Sequence, residues 1–188
     1  MAAIWVLIMK KEISKREEIL DAAEKLMRKA GFNGFSFREV AKMVEIKSAS
    51  VHYHFPTKTD IGVAVTQRYT ERFLEKLGDP KVNQQDPINH FINIFRKGIK
   101  KDQNLCLCGL LGAEAKSLPP ELTIQIEAFF EESLKWLEAA IQKNKGKSSS
   151  DSKKQSLLIL SALEGAAIIG QTLNNFDIFE RVAKSFKS

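Results

Sequence analysis

Cysteine is almost missing from this chain: Cys106 and Cys108 are the only two in 188 residues. Two thiols one residue apart cannot build a disulfide framework, so a reducing, cytoplasmic setting is expected. Proline and glycine are scarce as well, at 5 and 10. Alternating strand patterns bounded by turn residues are nearly absent, which disfavours a β architecture and leaves an all-α fold. No P-loop, Rossmann glycine fingerprint, nucleophile elbow or cluster of metal ligands occurs. His52 and His54 sit two apart on a helical pattern and point about 200° away from each other, so they cannot chelate one ion. His90 has no visible partner. No catalytic residue, metal ligand or cofactor is therefore expected. The apolar opening MAAIWVLIM is too short to span a bilayer and lacks the basic region of a signal peptide. KKEISKREE, which follows Met9, reads as the natural beginning of the protein, with translation starting at Met9 rather than Met1.

What the chain does have is positive charge and helical periodicity. The formal net charge is +6, which suits a nucleic-acid partner. The excess is spread evenly, except for the run Lys10, Lys11, Lys15, Arg16, which only Glu12 opposes. Ile19, Leu20, Ala23, Leu26, Met27 and Ala30 recur at helical spacing, predicting a helix over 14–30. Ser14 and Glu17 have capping-box spacing at its start and Gly31 stops it. Phe32, Phe35 and Phe37 follow as core plugs.

The most informative window is FREVAKMVEIKSASVHYHFP, residues 37–56. Ser36 and Glu39 form a second capping-box pair and open a short helix with Val40, Ala41 and Val44 inward. Glu45-Ile46-Lys47 makes a turn, a helix follows over 48–55, and Pro56 ends it. At 100° per residue, Val51 and Phe55 share the buried side of that helix, leaving Ala49, Ser50 and Tyr53 outward with Ser48, His52 and His54 flanking. Small outward residues let a helix backbone approach base edges. Serine bonds any base, alanine touches a thymine methyl, and tyrosine reaches phosphate or sugar. Thr57 and Asp60 cap the next helix, whose first turn offers Lys58 to a phosphate. This is the layout of a helix-turn-helix.

These residues resemble the TetR/AcrR family of bacterial transcriptional repressors. The resemblance covers about residues 13–73 and rests on S-F-R-E-V-A and V-H-Y-H-F-P-T-K. It matches Ser36, Arg38, Val40, Ala41, Val51, His52, His54, Phe55 and Lys58 to the family pattern. It implies an N-terminal three-helix DNA-binding head over 13–73 and a larger helical ligand-binding and dimerisation domain over 74–188. It implies a DNA-contacting set of Ser36, Arg38, Ser48, Ala49, Ser50, His52, Tyr53, His54 and Lys58. Two positions depart from the pattern. Glu45 stands where the family usually has the turn glycine, and His52 where it has a tyrosine.

Beyond the polar stretch 78–87 the helices lengthen. Helices are expected over 88–101, 109–117, 120–143, 155–174 and 177–186, with a solvated loop over 143–154. The helix over 120–143 carries two apolar stripes, Ile126/Phe130/Leu134/Leu137/Ile141 and Phe129/Trp136/Ala140, one for its own domain and one for a partner. The helix over 155–174 is apolar nearly all round and should be buried on every side. Glu164 and Gln171 interrupt it, so it is not read as a membrane span. Specific DNA binding generally needs two half-sites, and the resemblance implies a homodimer through these two helices on a palindromic operator. It also implies an unidentified small-molecule effector, with Phe91, Phe95, Leu110, Glu164 and Gln171 as candidate lining residues. The stretch Cys106-Leu-Cys-Gly-Leu-Leu-Gly-Ala-Glu-Ala resembles a subgroup of electrophile-responsive repressors, which makes Cys106 a candidate redox sensor. Lys100 and Lys101 are candidates to favour its thiolate, and the subgroup's basic partner falls at Gln171. A repressor is expected, with an activator or an electrophile sensor as alternatives, and a helical interaction module as the rival without DNA.

Overall fold

A computed structural model describes residues 2–80, 82, 86–102, 105–145 and 148–186. Nine α-helices and no strand occur among these residues: α1 (Ala2–Ala30), α2 (Phe37–Met43), α3 (Ser48–His54), α4 (Lys58–Leu77), α5 (Pro87–Asp102), α6 (Leu107–Ala113), α7 (Pro120–Lys145), α8 (Ser149–Thr172) and α9 (Asp177–Lys184). A 3-10 turn, Ala115–Ser117, joins α6 to α7.

The expected helix boundaries hold where a cap specifies them. The Ser36 hydroxyl accepts the Glu39 N–H at 3.3 Å and starts α2. A reciprocal pair starts α4: Thr57 Oγ1 accepts the Asp60 N–H at 3.1 Å, and Asp60 accepts the Thr57 N–H at 2.8 Å. Gly31 ends α1 with φ of 72°, a region that side chains with a Cβ disfavour.

Two expectations are corrected. Ser14 is no N-cap, because α1 already begins at Ala2; its hydroxyl bonds the Glu18 carboxylate at 3.4 Å from within the helix. No proline or glycine lies between Ala2 and Ser14 to stop the helix. The loop expected over 143–154 is also mostly helix. Ser148 accepts the Asp151 N–H at 3.2 Å and nucleates α8 six residues earlier than the apolar pattern suggested. Ser152 in that extension and Ser156 just beyond it are buried, donating their hydroxyls to the carbonyls of Ser148 and Lys153 at 2.9 Å.

One contiguous core runs through the chain. In the N-terminal part, Ile19, Leu20, Ala23 and Met27 of α1 join Phe32, Phe35, Val40, Ala41, Val51 and Phe55. In the C-terminal part, Phe91 packs on Phe73 at 5.6 Å and on Trp136 at 5.8 Å between ring centroids. The Trp136 indole N–H donates to the Gly78 carbonyl at 2.7 Å, so the ring is buried without leaving its donor unmet.

Helix α4 belongs to both regions, packing against α1 on one side and α5 and α7 on the other. Its buried Arg68 reaches three carboxylates of α1, Glu17 at 2.8 Å, Asp21 at 2.9 Å and Glu24 at 3.3 Å. From α1, buried Arg28 donates to the carbonyls of Gly98, at 3.0 Å, and Leu105, at 2.9 Å. These charge-assisted bonds tie α1 to α4 and to the α5–α6 region.

Candidate DNA-binding face and a buried thiol site

The α2–turn–α3 unit shows how a short helix is held with one side free. Val51 and Phe55 are buried, as their spacing requires. The Ile46 N–H returns to the Ala41 carbonyl at 3.0 Å and closes the turn. Ala49, Ser50 and Tyr53 are exposed on the opposite side, Tyr53 at 73%. Ser48 and His54 are half-buried on its flanks, and His54 meets the Tyr53 ring edge-on at 5.2 Å. Ser36 and Arg38 are exposed at the start of α2.

The departure at position 45 is resolved by strain. Glu45 takes φ of 55°, the left-handed region, although it carries a Cβ. That conformation costs a non-glycine residue about 1 kcal/mol. Glu45→Gly is therefore expected to stabilise the protein by about 0.5–1 kcal/mol, a rise in Tm of about 1–4 °C for a chain of this size. Thermal melts followed by circular dichroism would show it.

His52 is occupied with its own domain. Its ring stacks on Phe37 with centroids 4.1 Å apart, and Nδ1–H donates to the Pro56 carbonyl at 3.3 Å. With Nδ1 carrying that proton, Nε2 donates to a phosphate only in the imidazolium form. Lys58 is likewise engaged: its ammonium donates to the Asn33 carbonyl at 3.3 Å and lies over the Phe32 and Phe35 rings. Partial burial there lowers its pKa, against a smaller rise from Glu39. Two of its three donors remain for a phosphate. Sequence reasoning noticed Lys15 as part of a basic run and did not assign it to this face. Yet Lys15 lines a depression with Ile46, Ala49, Ser50, Tyr53 and His54, because α1 passes beside α3. Its neighbour Arg16 is held over the Phe55 ring at 4.9 Å.

In the body, Cys106 precedes α6 and is buried with Cys108. The Tyr69 hydroxyl donates to Cys106 Sγ at 3.5 Å, and the Glu164 carboxylate from α8 is close enough to the thiol to influence its ionisation. Gly109 makes room for this arrangement, since a Cβ there would overlap the Glu164 carboxylate. Burial pushes the Cys106 thiol well above its usual range and the Glu164 charge adds to the rise; the Tyr69 hydroxyl and Gly109 N–H oppose it more weakly. Burial likewise lifts Cys108 and Tyr69. Burial of the thiol works against the thiolate that Lys100 and Lys101 were expected to favour; those two lysine side chains lie outside the described residues. Glu164 itself is raised to about 7 by burial, and its Oε1 has no hydrogen-bond partner.

The other candidate lining residues separate. Gln171 lines a cavity of about 360 Å³ bounded by Ile99, Asn174, Asn175, Phe176 and Phe179. Phe91 and Phe95 do not line it. They are buried in the aromatic core, Phe95 stacked on Phe179 at 6.1 Å. Leu110 is half-buried on α6. Of the first α7 stripe, Ile126, Leu137 and Ile141 are buried in this chain beside Phe129, Trp136 and Ala140, while Phe130 and Leu134 are half-buried. On α8, Leu157, Leu158, Ile168 and Ile169 are exposed in the single chain, so burial on every side is not reached within one copy.

Comparison with known proteins decides the family. The sequence model described as bacterial regulatory proteins, tetR family, matches residues 19–65. A solved TetR transcriptional regulator from Legionella pneumophila is 32% identical, with 89% of this chain and 92% of that one covered and a TM-score of 0.82. The chain belongs to the TetR family of transcriptional regulators. A TetR-family regulator from Agrobacterium tumefaciens shares the fold at 22% identity, with 93% and 96% covered and a TM-score of 0.85. In sequence, the HTH-type transcriptional repressor NemR of Escherichia coli K12 is 32% identical over 81 residues. That match spans 41% of this chain and 41% of NemR. As a TetR-family member, the chain carries a DNA-binding helix-turn-helix in its N-terminal part. Among its described residues, no helix is long and apolar enough to cross a membrane.

Proposed function

We propose that this regulator is a homodimeric repressor, acting in the cytoplasm on a palindromic operator and released by a small ligand. Residues 13–73 form the DNA-reading head and 74–188 the sensing and dimerising body. The observation that carries the reading is the division of α3: Val51 and Phe55 hold it in the core while Ala49, Ser50 and Tyr53 stand clear. Ser48, His54 and the Nε2 of His52 flank that face. Ser36, Arg38, Lys58 and Lys15 surround it with groups suited to phosphates, which position a head without reading sequence.

The exposed apolar row on α8 supports the dimer. Leu157, Leu158, Ile168 and Ile169 recur at helical spacing, and such a row on a soluble chain calls for a partner surface. A second copy supplies the second head that specific recognition needs. Repression is supported by the likeness to the transcriptional repressor NemR, and ligand release by the cavity at Gln171. The Leu158→Asp, Ile169→Asp double variant is expected to sediment as a monomer while retaining its helical circular dichroism. Its affinity for a palindromic operator should fall at least a hundredfold, since each head then binds alone. A variant that sediments as a dimer would remove α8 from the interface.

A further inference from the structure

We propose that a second cavity, between α1, α4 and α5, binds a small organic anion with an apolar body. The cavity measures about 620 Å³, within the range that accommodates small-molecule ligands. Its chemistry differs from the amide-lined cavity at Gln171. Arg28 from α1, Arg72 and Lys76 from α4, and Lys97 from α5 all line it, while Glu24 is the one carboxylate among its lining residues. Glu24 is bonded by Arg68 at 3.3 Å and, with Glu17 and Asp21, also faces Arg72, so these carboxylates are engaged by the two arginines. Lys76 and Lys97 have no carboxylate partner among the described residues. Cations converging on a concave surface repel one another and focus a positive potential into it.

The same cavity supplies an apolar floor from Tyr69, Phe73 and Ile94. His90 lines it with its Nε2–H bonded to the Lys76 and Leu77 carbonyls at 3.2 Å, which holds the α4–α5 corner in place. Arg72 is the adaptable group. Its contacts to Glu17, Asp21 and Glu24 are long, 3.5 to 3.9 Å, and its side chain is 46% exposed. Arg68 keeps the tight pairs to Glu17 and Asp21 at 2.8 and 2.9 Å. Arg72 can therefore turn to an incoming anion while the α1–α4 contact persists, and it can do so bidentately to a carboxylate or a phosphate. Ring burial on the floor and charge pairing at the rim together define the ligand: a flat apolar group bearing one anionic head.

The site joins α4 to α5, so its consequence for DNA release rests on the regulator reading above. Binding itself does not, and the experiment reads binding alone. Full-length protein is titrated calorimetrically at constant ionic strength with phenyl phosphate, benzoate, benzyl alcohol and inorganic phosphate. At least one of phenyl phosphate and benzoate should bind saturably at one per chain, and which of them binds more tightly identifies the head group. Benzyl alcohol should show no saturable binding, and inorganic phosphate should bind at least tenfold more weakly than phenyl phosphate if the phosphate is the preferred head. Lys76→Ala with Lys97→Ala, both exposed and so expected to leave folding intact, should weaken the preferred anion at least tenfold. No saturable anion binding, or an affinity unchanged in the folded double variant, would overturn the proposal. Equal binding of benzyl alcohol would overturn the anionic requirement.

Discussion

Tyr53→Ala should weaken operator binding about a hundredfold while leaving the protein as stable as the parent. Tyr53 is 73% exposed, the most exposed large apolar residue among the described residues, and its only ring neighbour among them is His54 at 5.2 Å. Removing it therefore takes nothing from the core. A hydroxyl bond to a phosphate is charge-assisted and contributes about 1.5–3 kcal/mol. A dimer makes that contact twice, so the loss is on the order of 3 kcal/mol or more. Lys58→Ala provides the contrast. Its ammonium caps the Asn33 carbonyl and covers two phenyl rings, so this variant should lose thermal stability together with affinity. Competition binding on one operator fragment, with melts of each variant, separates the two cases. A Tyr53→Ala protein that binds DNA like the parent would mean that α3 docks by another face.

Glu164→Gln should stabilise the protein at pH 8 and flatten its stability between about pH 4.5 and 7. Glu164 has a folded pKa of about 7 against an ordinary 4.5, raised chiefly by burial. The folded state thus holds its proton more firmly than the unfolded chain does. Stability from this group is fully present below about pH 4.5, declines as pH rises, and is fully lost above about 7. The shift corresponds to on the order of 3 kcal/mol. Glutamine keeps the shape, carries no charge and has nothing to lose over that window. At pH 8 the variant should be more stable by about 2 kcal/mol, and at pH 4.5 the two proteins should nearly coincide. Urea unfolding at a series of pH values checks this. Parallel pH profiles for parent and variant would place the carboxylate in water rather than against Cys106.

The helix-turn-helix was legible in the sequence because local rules specify it. Ser36, Thr57 and Asp60 cap helices through contacts three residues away, and Val51 and Phe55 declare a buried face by spacing alone. The body was less legible for a physical reason. Which apolar stripe of α7 faces inward depends on the helices around it, and residues of both stripes are buried within the chain while Phe130 and Leu134 stay half-buried. The start of α8 was hidden because serines and lysines resemble a loop by composition, whereas the Ser148 cap and the buried Ser152 make it helical. At Cys106 the basic neighbours in sequence suggested an activated thiol. What lies against the sulfur in space is Tyr69 and Glu164, contributed by α4 and α8, and neither can be read from the residues beside it. Lys15 joined the DNA-binding face in the same way, through the passage of α1 beside α3.

The most direct test of the account is a titration of the full-length protein against its own upstream intergenic DNA and a scrambled control, at two salt concentrations. A sequence-specific regulator should protect a palindrome in the upstream fragment and prefer it over the control at both salts. Equal, steeply salt-sensitive binding to the two fragments would reduce the interaction to phosphate attraction and contradict the assignment of Ala49, Ser50 and Tyr53 to base and backbone recognition at that site.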